Sequence, residues 1–268
     1  MAGAISAVRR VLRERLLRTT FAAGKFRLKR FGRVDPGSAL VVICLWNRST
    51  RFRELLDDLA AQDVPNGITL GLWNNDRRQR SYYERELVTW LETHPQSALS
   101  CIMLTHSQVN AGGFGRFYLG NRLARELGKQ HLIFLDDDQR IQPDFVRRVL
   151  HQAAPKTVAS WWAWQIENND YWDRTRALPG EPADYTGTGG MVLDSALLAV
   201  PNLVAGLEPE HWFLEDIWLS HLAKVYGFEL KALDADISFV MEETNQHHQL
   251  GTLKPDYYRT LAKLRRSE

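Results

Sequence analysis

Short continuous apolar runs alternate with amphipathic ones along the middle of the chain. Leu40 to Leu45, Ile68 to Trp73, Leu99 to Leu104 and Leu132 to Leu135 are of strand length and apolar at most positions. A strand buried on both faces reads that way. Between them lie segments with helical spacing: about 51–62, capped by Ser49 or Thr50, then about 81–93, about 115–128, and Asp144 to Ala153. Pro65-Asn66-Gly67 marks a turn. Strand and helix alternating at this spacing predict an α/β fold whose mostly parallel central sheet carries helices on both faces. After residue 155 the alternation lapses into Trp-rich and Gly-rich segments, and no internal repeat is visible.

At 268 residues, 44% hydrophobic and 25% charged, the chain has an ordinary globular composition. Its longest apolar run, Ala39 to Trp46, is eight residues, well short of the eighteen or so that span a bilayer. Cys44 and Cys101 both sit inside strand-like runs, which predicts buried free thiols in a reducing compartment rather than a disulfide framework.

The net charge of +2 conceals an asymmetry. Residues 1–33 hold ten Lys or Arg against Glu14, a local +9, leaving 24 bases against 31 acids, or −7, in the remainder. No basic stripe covers the body, which argues against nucleic acid as a partner. Ile5, Val8, Leu12 and Leu16 follow helical spacing among the arginines, the pattern of a helix lying on anionic lipid headgroups. A mitochondrial transit peptide and a helix packed on the body are the other readings of this segment. The chain then divides into a basic amphipathic leader and linker (1–37), a half built of alternating elements (38–155), and a second half ending in a helical tail (156–268). The expected location is cytoplasmic, with the leader as the route to the inner face of the plasma membrane.

Candidate chemistry gathers where strands end. Leu132 to Leu135 runs straight into Asp136, Asp137 and Asp138. Adjacent anions repel, so such a cluster at a strand mouth points to a bound cation. In an extended segment Asp136 and Asp138 share one side and Asp137 takes the other. Two oxygen donors on one side suit Mg²⁺ or Mn²⁺ arriving with a phosphate ligand, whereas a solvated acidic turn is the plainer alternative. Trp46-Asn47-Arg48 follows the first of these strands and Asn74-Asn75-Asp76 the second. These groups either read the edge of a base or cap helices and turns.

Further on, Gly112-Gly113 suits a helix start facing a ligand, and Gly187, Gly189 and Gly190 permit close approach where a Cβ would collide. Neither run has dinucleotide-binding spacing. Glu215-Asp216 lies within an apolar run from Trp212 to Leu219, where a desolvated carboxylate is a candidate base and also a favourable helix start. Trp161, Trp162, Trp164, Tyr171 and Trp172 form an aromatic patch that either stacks on sugars or fills the core. His247 and His248 sit in a polar stretch near the end.

Taken in order, the strand ending in Trp46-Asn47-Arg48, the D-x-D triplet Asp136 to Asp138, the Gly187–Gly190 loop and the Glu215-Asp216 pair resemble the inverting glycosyltransferases of GT-A fold, family 2, over about residues 38–230. The resemblance implies a nucleotide-diphosphate sugar, most often a UDP-sugar, and a glycan or lipid-linked acceptor. It implies Mn²⁺ or Mg²⁺ on Asp136 and Asp138, joined by His247 or His248 as in galactofuranosyl-type relatives, and Asp216 as base beside Glu215. Donor contacts would come from Trp46, Asn47, Arg48, Asn74, Asp76, Gly112, Gly113, Asp136 and Asp137, and sugar or acceptor contacts from Gly189, Gly190, Trp162 and Trp212. Asn74-Asn75-Asp76 departs from the family's more usual Asp-Asp or Asp-Asn followed by Ser. A sugar-1-phosphate nucleotidyltransferase and a catalytically silent carbohydrate- or membrane-binding protein of the same fold are the competing readings.

Overall fold

A computed structural model describes residues 12, 15–240 and 250–265. Helix α1 (15–22) leads into strand β1 (Lys29–Gly32). Alternating elements follow: β2 (Ala39–Leu45), α2 (Phe52–Ala60), β3 (Ile68–Asn74), α3 (Arg80–Thr93), β4 (Leu99–His106), α4 (Gly115–Leu127) and β5 (His131–Asp136). Then come β6 (Gln139–Ile141), α5 (Phe145–His151), β7 (Thr157–Ser160), β8 (Ala163–Ile166), β9 (Arg174–Arg176), β10 (Tyr185–Thr186) and β11 (Met191–Asp194). The chain closes with α6 (Leu203–Gly206), α7 (Glu215–Val225), β12 (Glu229–Ala232), β13 (Ile237–Phe239) and α8 (Leu250–Arg265).

Among the described residues eight strands form one sheet in the order β1-β4-β3-β2-β5-β11-β7-β12. β4, β3, β2 and β5 are mutually parallel, as the alternation predicts, and β12 is parallel to β7. β1 and β11 run antiparallel to their neighbours. β2 and β3 are buried at every position because both faces are covered. Alternate residues of β2 serve two cores. Leu40, Val42 and Cys44 pack with Phe117 and Leu119 of α4, while Val41, Ile43 and Leu45 pack with Phe52, Leu56 and Tyr83 of α2 and α3.

The strand order reverses between β2 and β5, where the chain stops adding strands on one side and crosses to the other. A crevice opens at such a point beyond the carboxyl ends of the strands. Cys44 pairs with Asp136 in register, so the segments following β2 and β5 leave the sheet side by side. Cys44 and Cys101 are buried and free.

The expected leader divides in the structure. Residues 1–11, 13 and 14, with Ile5 and Val8, lie outside the described residues. From residue 15 onward the segment is joined to the body. Phe21 is buried against Trp73, Tyr118 and Phe26, and β1 extends the sheet beyond β4. Arg122 of α4 donates to the carbonyl of Gly24 and lies 4.9 Å over the Phe26 ring, and Thr105 donates to the carbonyl of Arg27. Leu17 and Ala22 also face the body, whereas Leu12 and Leu16 are 60% and 67% exposed. On α1 itself Leu17 and Ala22 face the body and Leu16 faces solvent.

Phe21→Ala should lower stability by about 3–5 kcal/mol, the range for emptying an aromatic site in a packed core. In urea unfolding it should appear as an earlier midpoint at unchanged slope. An unchanged midpoint would show that α1 rests on the body without being part of its core.

Candidate functional site

Everything at the reversal point is arranged around the acid triplet. Asp137 and Asp138 form a turn after β5, so the side-to-side alternation expected of an extended segment stops at Asp136. Asp137 turns inward and ties the two strand ends together. It accepts from the Trp46 backbone N–H at 2.8 Å and from Arg48 Nη1 at 2.6 Å, while its own carbonyl accepts from buried Arg51. Arg48 also pairs with Asp138 Oδ2 at 3.0 Å. Burial pushes the Asp137 carboxyl up, opposed by Arg48 and by the Trp46 amide. Asp138 is pushed up to about 6 by burial and by the neighbouring Asp136.

Asp136 has a different partner. Arg116, buried in the first turn of α4, donates Nη2 to Asp136 Oδ1 at 2.6 Å, Nε to the Gly113 carbonyl at 3.0 Å and Nη1 to the Thr188 carbonyl at 3.2 Å. One guanidinium therefore joins β5, the loop before α4 and the glycine loop. The loop before α4 is fixed from the other side by Asn75. Its side chain accepts from Trp73 Nε1 and the Ala111 N–H, and donates to the Gly112 carbonyl.

The glycines sit where side chains would collide. A Cβ on Gly113 would lie 1.7 Å from Glu215 Oε1, and one on Gly189 2.2 Å from Asp136 Oδ2. Close approach of backbone to carboxylate is what both positions require. Glu215, opening α7, is buried, accepts from Thr188 Oγ1 at 3.2 Å, and is pushed up to about 7 by burial and by adjacent Asp216. Asp216 accepts from the Tyr185 hydroxyl and has Lys254 Nζ 3.4 Å from the same Oδ2.

Two cavities meet here. The larger, about 640 Å³, is lined by the triplet, Trp46, Arg48, Asn75, Gly112, Gly113 and Arg116, and closed by Phe213, Trp172 and the start of α8. The smaller, about 260 Å³, lies beside Asp216, Tyr185, Trp162, Phe239 and the Gly187–Gly189 loop. Asp136, Phe213, Glu215 and Lys254 belong to both. Among the described residues four carboxylates line the larger cavity against three cationic side chains, Arg48, Arg116 and Lys254.

The expected site residues are largely brought together, with exceptions. Trp46, Arg48, Gly112, Gly113, Asp136, Asp137, Asp138 and Glu215 line the larger cavity, and Trp162, Gly189 and Asp216 the smaller. Asn74 and Asp76 line neither. Asn74 is buried and bonded to His106 and to the Asp76 backbone, and Asp76 caps the next turn and pairs with Arg78. Asn75 between them faces the cavity instead. Asn47 takes a left-handed φ of 54° and lines neither cavity, Gly190 supports the loop from behind with φ 70°, and Trp212 stacks on Phe114 in the core. His247 and His248 lie outside the described residues. Sequence reasoning assigns no site role to Arg116, Tyr185, Phe213 or Lys254, although Arg116 directly follows Gly115, Tyr185 directly precedes the glycine-rich segment and Phe213 lies in the apolar run around Glu215-Asp216.

Among the described residues no three acidic, histidine or cysteine side chains converge as a cage for a metal. Asp136 and Asp138 supply two hard oxygen donors, enough for Mg²⁺ or Mn²⁺, which keep waters and take phosphate oxygens. The crowding that lifts Asp138 is the field such a cation would relieve.

No protein-family profile and no curated protein sequence matches the chain. Solved structures do. TarS from S. aureus, residues 1–349 in complex with UDP-GlcNAc, aligns over 85% of this chain and 65% of its own at 15% identity and a TM-score of 0.50. The mannosyltransferase PcManGT from Pyrobaculum calidifontis, in complex with GDP-Man and Mn²⁺, aligns over 87% and 66% at 17% identity, also with a TM-score of 0.50. The chain thus spans just under two thirds of the length of either. The likeness assigns the GT-A glycosyltransferase fold, in agreement with the sheet order and the acid triplet at its reversal point.

Glu215, with a folded value above its unfolded one, binds a proton in the native state that the unfolded chain has released between about pH 4.5 and 7. Its contribution to stability is complete below that window and is lost as pH rises through it. Glu215→Gln should therefore melt several degrees higher than wild type at pH 8 and nearly equal to it at pH 4.5, in differential scanning calorimetry without added metal. A gap that is the same at both pH values would contradict the assignment.

Proposed function

We propose that the protein is a glycosyltransferase that moves a sugar from a nucleoside diphosphate sugar to a hydroxyl acceptor with inversion at the anomeric carbon. The observation that carries this reading is the pair of cavities joined across Asp136 and Glu215, one with the acid triplet and the other with Asp216. The larger takes the nucleotide, its diphosphate toward the triplet. The smaller takes the acceptor, where Asp216 accepts the proton of the attacking hydroxyl as the carbon–oxygen bond to the diphosphate breaks. One base and one leaving group give a single displacement, hence inversion. A divalent cation held by Asp136 and Asp138 would neutralise charge on the departing phosphates. Arg116 positions Asp136, and Arg48 positions Asp138 and keeps the Trp46 segment against the triplet. The walls of Trp162 and Phe239 suit the apolar faces of a sugar ring, which supports a glycan or glycolipid acceptor.

The test is calorimetry with UDP- and GDP-sugars, with and without Mn²⁺, followed by a donor screen for transfer by mass spectrometry. Asp138→Ala should abolish Mn²⁺-dependent nucleotide binding without changing the melting temperature by more than a few degrees. Asp216→Asn should bind nucleotide yet lose about 10²–10⁴ in turnover, as expected when a general base is removed. Full activity of Asp138→Ala in excess chelator would refute the metal role, and full turnover of Asp216→Asn would refute the base.

A membrane acceptor is part of the same reading. It is supported by the local +9 of residues 1–33 and by the exposed leucines Leu12 and Leu16. Each base near an anionic surface contributes about 1 kcal/mol, less when several share one field. Because both leucines are exposed, Leu12→Asp with Leu16→Asp should leave nucleotide binding intact and reduce co-sedimentation with phosphatidylglycerol vesicles at low salt. Equal co-sedimentation would remove the membrane from the proposal. Truncation at residue 33 is the poorer experiment, since it also removes Phe21 and β1.

A further inference from the structure

Helix α8 delivers a cation to the point where the two cavities meet. Its second half is anchored, with Tyr258 and Leu261 buried against Tyr171, Tyr185 and Ile217. Its first half supplies Leu250, Gly251 and Lys254 to the rim of the larger cavity, and Lys254 reaches the smaller one as well. Among the described residues three cationic side chains line the larger cavity, and two are committed. Arg48 and Arg116 each make a 2.6 Å bond to the acid triplet, and Arg116 two more to backbone carbonyls.

Lys254 is held more loosely. Its ammonium stands 3.4 Å from Asp216 Oδ2, longer than the roughly 2.7–2.9 Å of a strong charge-assisted bond. Tyr185 already donates to that same oxygen, so Asp216 keeps a partner if Lys254 departs. Among the described residues, Glu215 and the Tyr171 ring, whose centre is 5.8 Å away, also act on the ammonium. Asp216 holds the ammonium firmly in its charged form. A lysine also has a flexible four-carbon stem and donors that turn freely, which suits a change of partner.

We propose that Lys254 exchanges Asp216 for the diphosphate of the donor. Before the donor binds, the ammonium pairs with Asp216; when a nucleoside diphosphate enters the larger cavity, the ammonium turns to its phosphate oxygens. Asp216 then keeps only the Tyr185 bond at Oδ2, and that oxygen becomes free to receive the acceptor's proton. Base function is thereby tied to donor occupancy, and the donor binds before the acceptor reacts. The exchange presupposes the nucleotide-sugar reading above.

A double-mutant cycle on the full chain tests it, with UDP, GDP and inorganic pyrophosphate as probes, each with Mn²⁺, by isothermal titration calorimetry. Removing the competitor, Asp216→Asn, should tighten binding roughly five- to tenfold in the wild-type background, a coupling typical of groups in contact. In the Lys254→Met background the same substitution should change affinity less than twofold. Lys254→Met alone should weaken binding roughly tenfold, and Lys254→Arg should restore most of it. Melting curves on each variant, with Lys254→Gln in reserve should the methionine variant not fold, keep the cycle interpretable. Equal tightening in both backgrounds would mean that Asp216 acts only as a nearby negative charge, and would overturn the exchange while leaving the donor site standing. If no probe binds the wild type, the nucleotide-sugar reading falls and the exchange with it.

Discussion

Five carboxylates that line one crevice among the described residues, Asp136, Asp137, Asp138, Glu215 and Asp216, are the constraint on which the rest of this structure depends. Burying a carboxylate without compensation costs several kcal/mol, and breaking a buried pair about 3–5 kcal/mol. The fold meets this demand with two arginines that each serve several elements. Arg48 locks the segment after β2 to Asp137 and Asp138. Arg116 locks α4, β5 and the glycine loop through Asp136 and two carbonyls. The walls of the crevice are tied to one another because its charges must be paired, and the pairing partners come from the elements that form those walls.

How far this was readable from sequence follows the physics of each part. β2, β3, β4 and β5 are central strands, and central strands declare themselves as continuous apolar runs because both faces are buried. The triplet was legible for the complementary reason: three acids directly after such a run have no structural explanation within the strand. The second half was less legible. β7, β11 and β12 have four residues each, too short to establish a period, and β11 enters antiparallel between β5 and β7, an arrangement set by its neighbours. β1 is an edge strand reading Lys-Arg-Phe-Gly, half exposed and basic, and so it merged with the charge of the segment before it.

The site residues divide in the same way. Glycines next to carboxylates were visible because only glycine tolerates Gly113 against Glu215 or Gly189 against Asp136. Asn74 and Asp76 misled because asparagine and aspartate at a strand end serve turns as readily as ligands. Their polar atoms are spent on Asn74–His106, Asn74–Asp76 and Asp76–Arg78 contacts. Asn75 reaches the cavity from between them. Lys254 had no signal at all. It comes from a helix some forty residues beyond Asp216, and nothing in local pattern says which face of a distant helix will roof a crevice.

The adjacent acids at the start of α7 end up in unlike surroundings, and the difference assigns their work. Glu215 is enclosed by the Gly113 backbone and Thr188, and its raised value follows from desolvation beside a second acid. It sits between the cavities as a support whose proton is retained up to about neutral pH. Asp216 is turned the other way, toward Tyr185 and Lys254, and both of those donate to it. Two neighbouring carboxyls in one low-dielectric site cannot both carry charge cheaply, and giving one to burial and the other to donors resolves the conflict. The residue left with the donors is the one that lines the smaller cavity, where the proposed displacement would need a base.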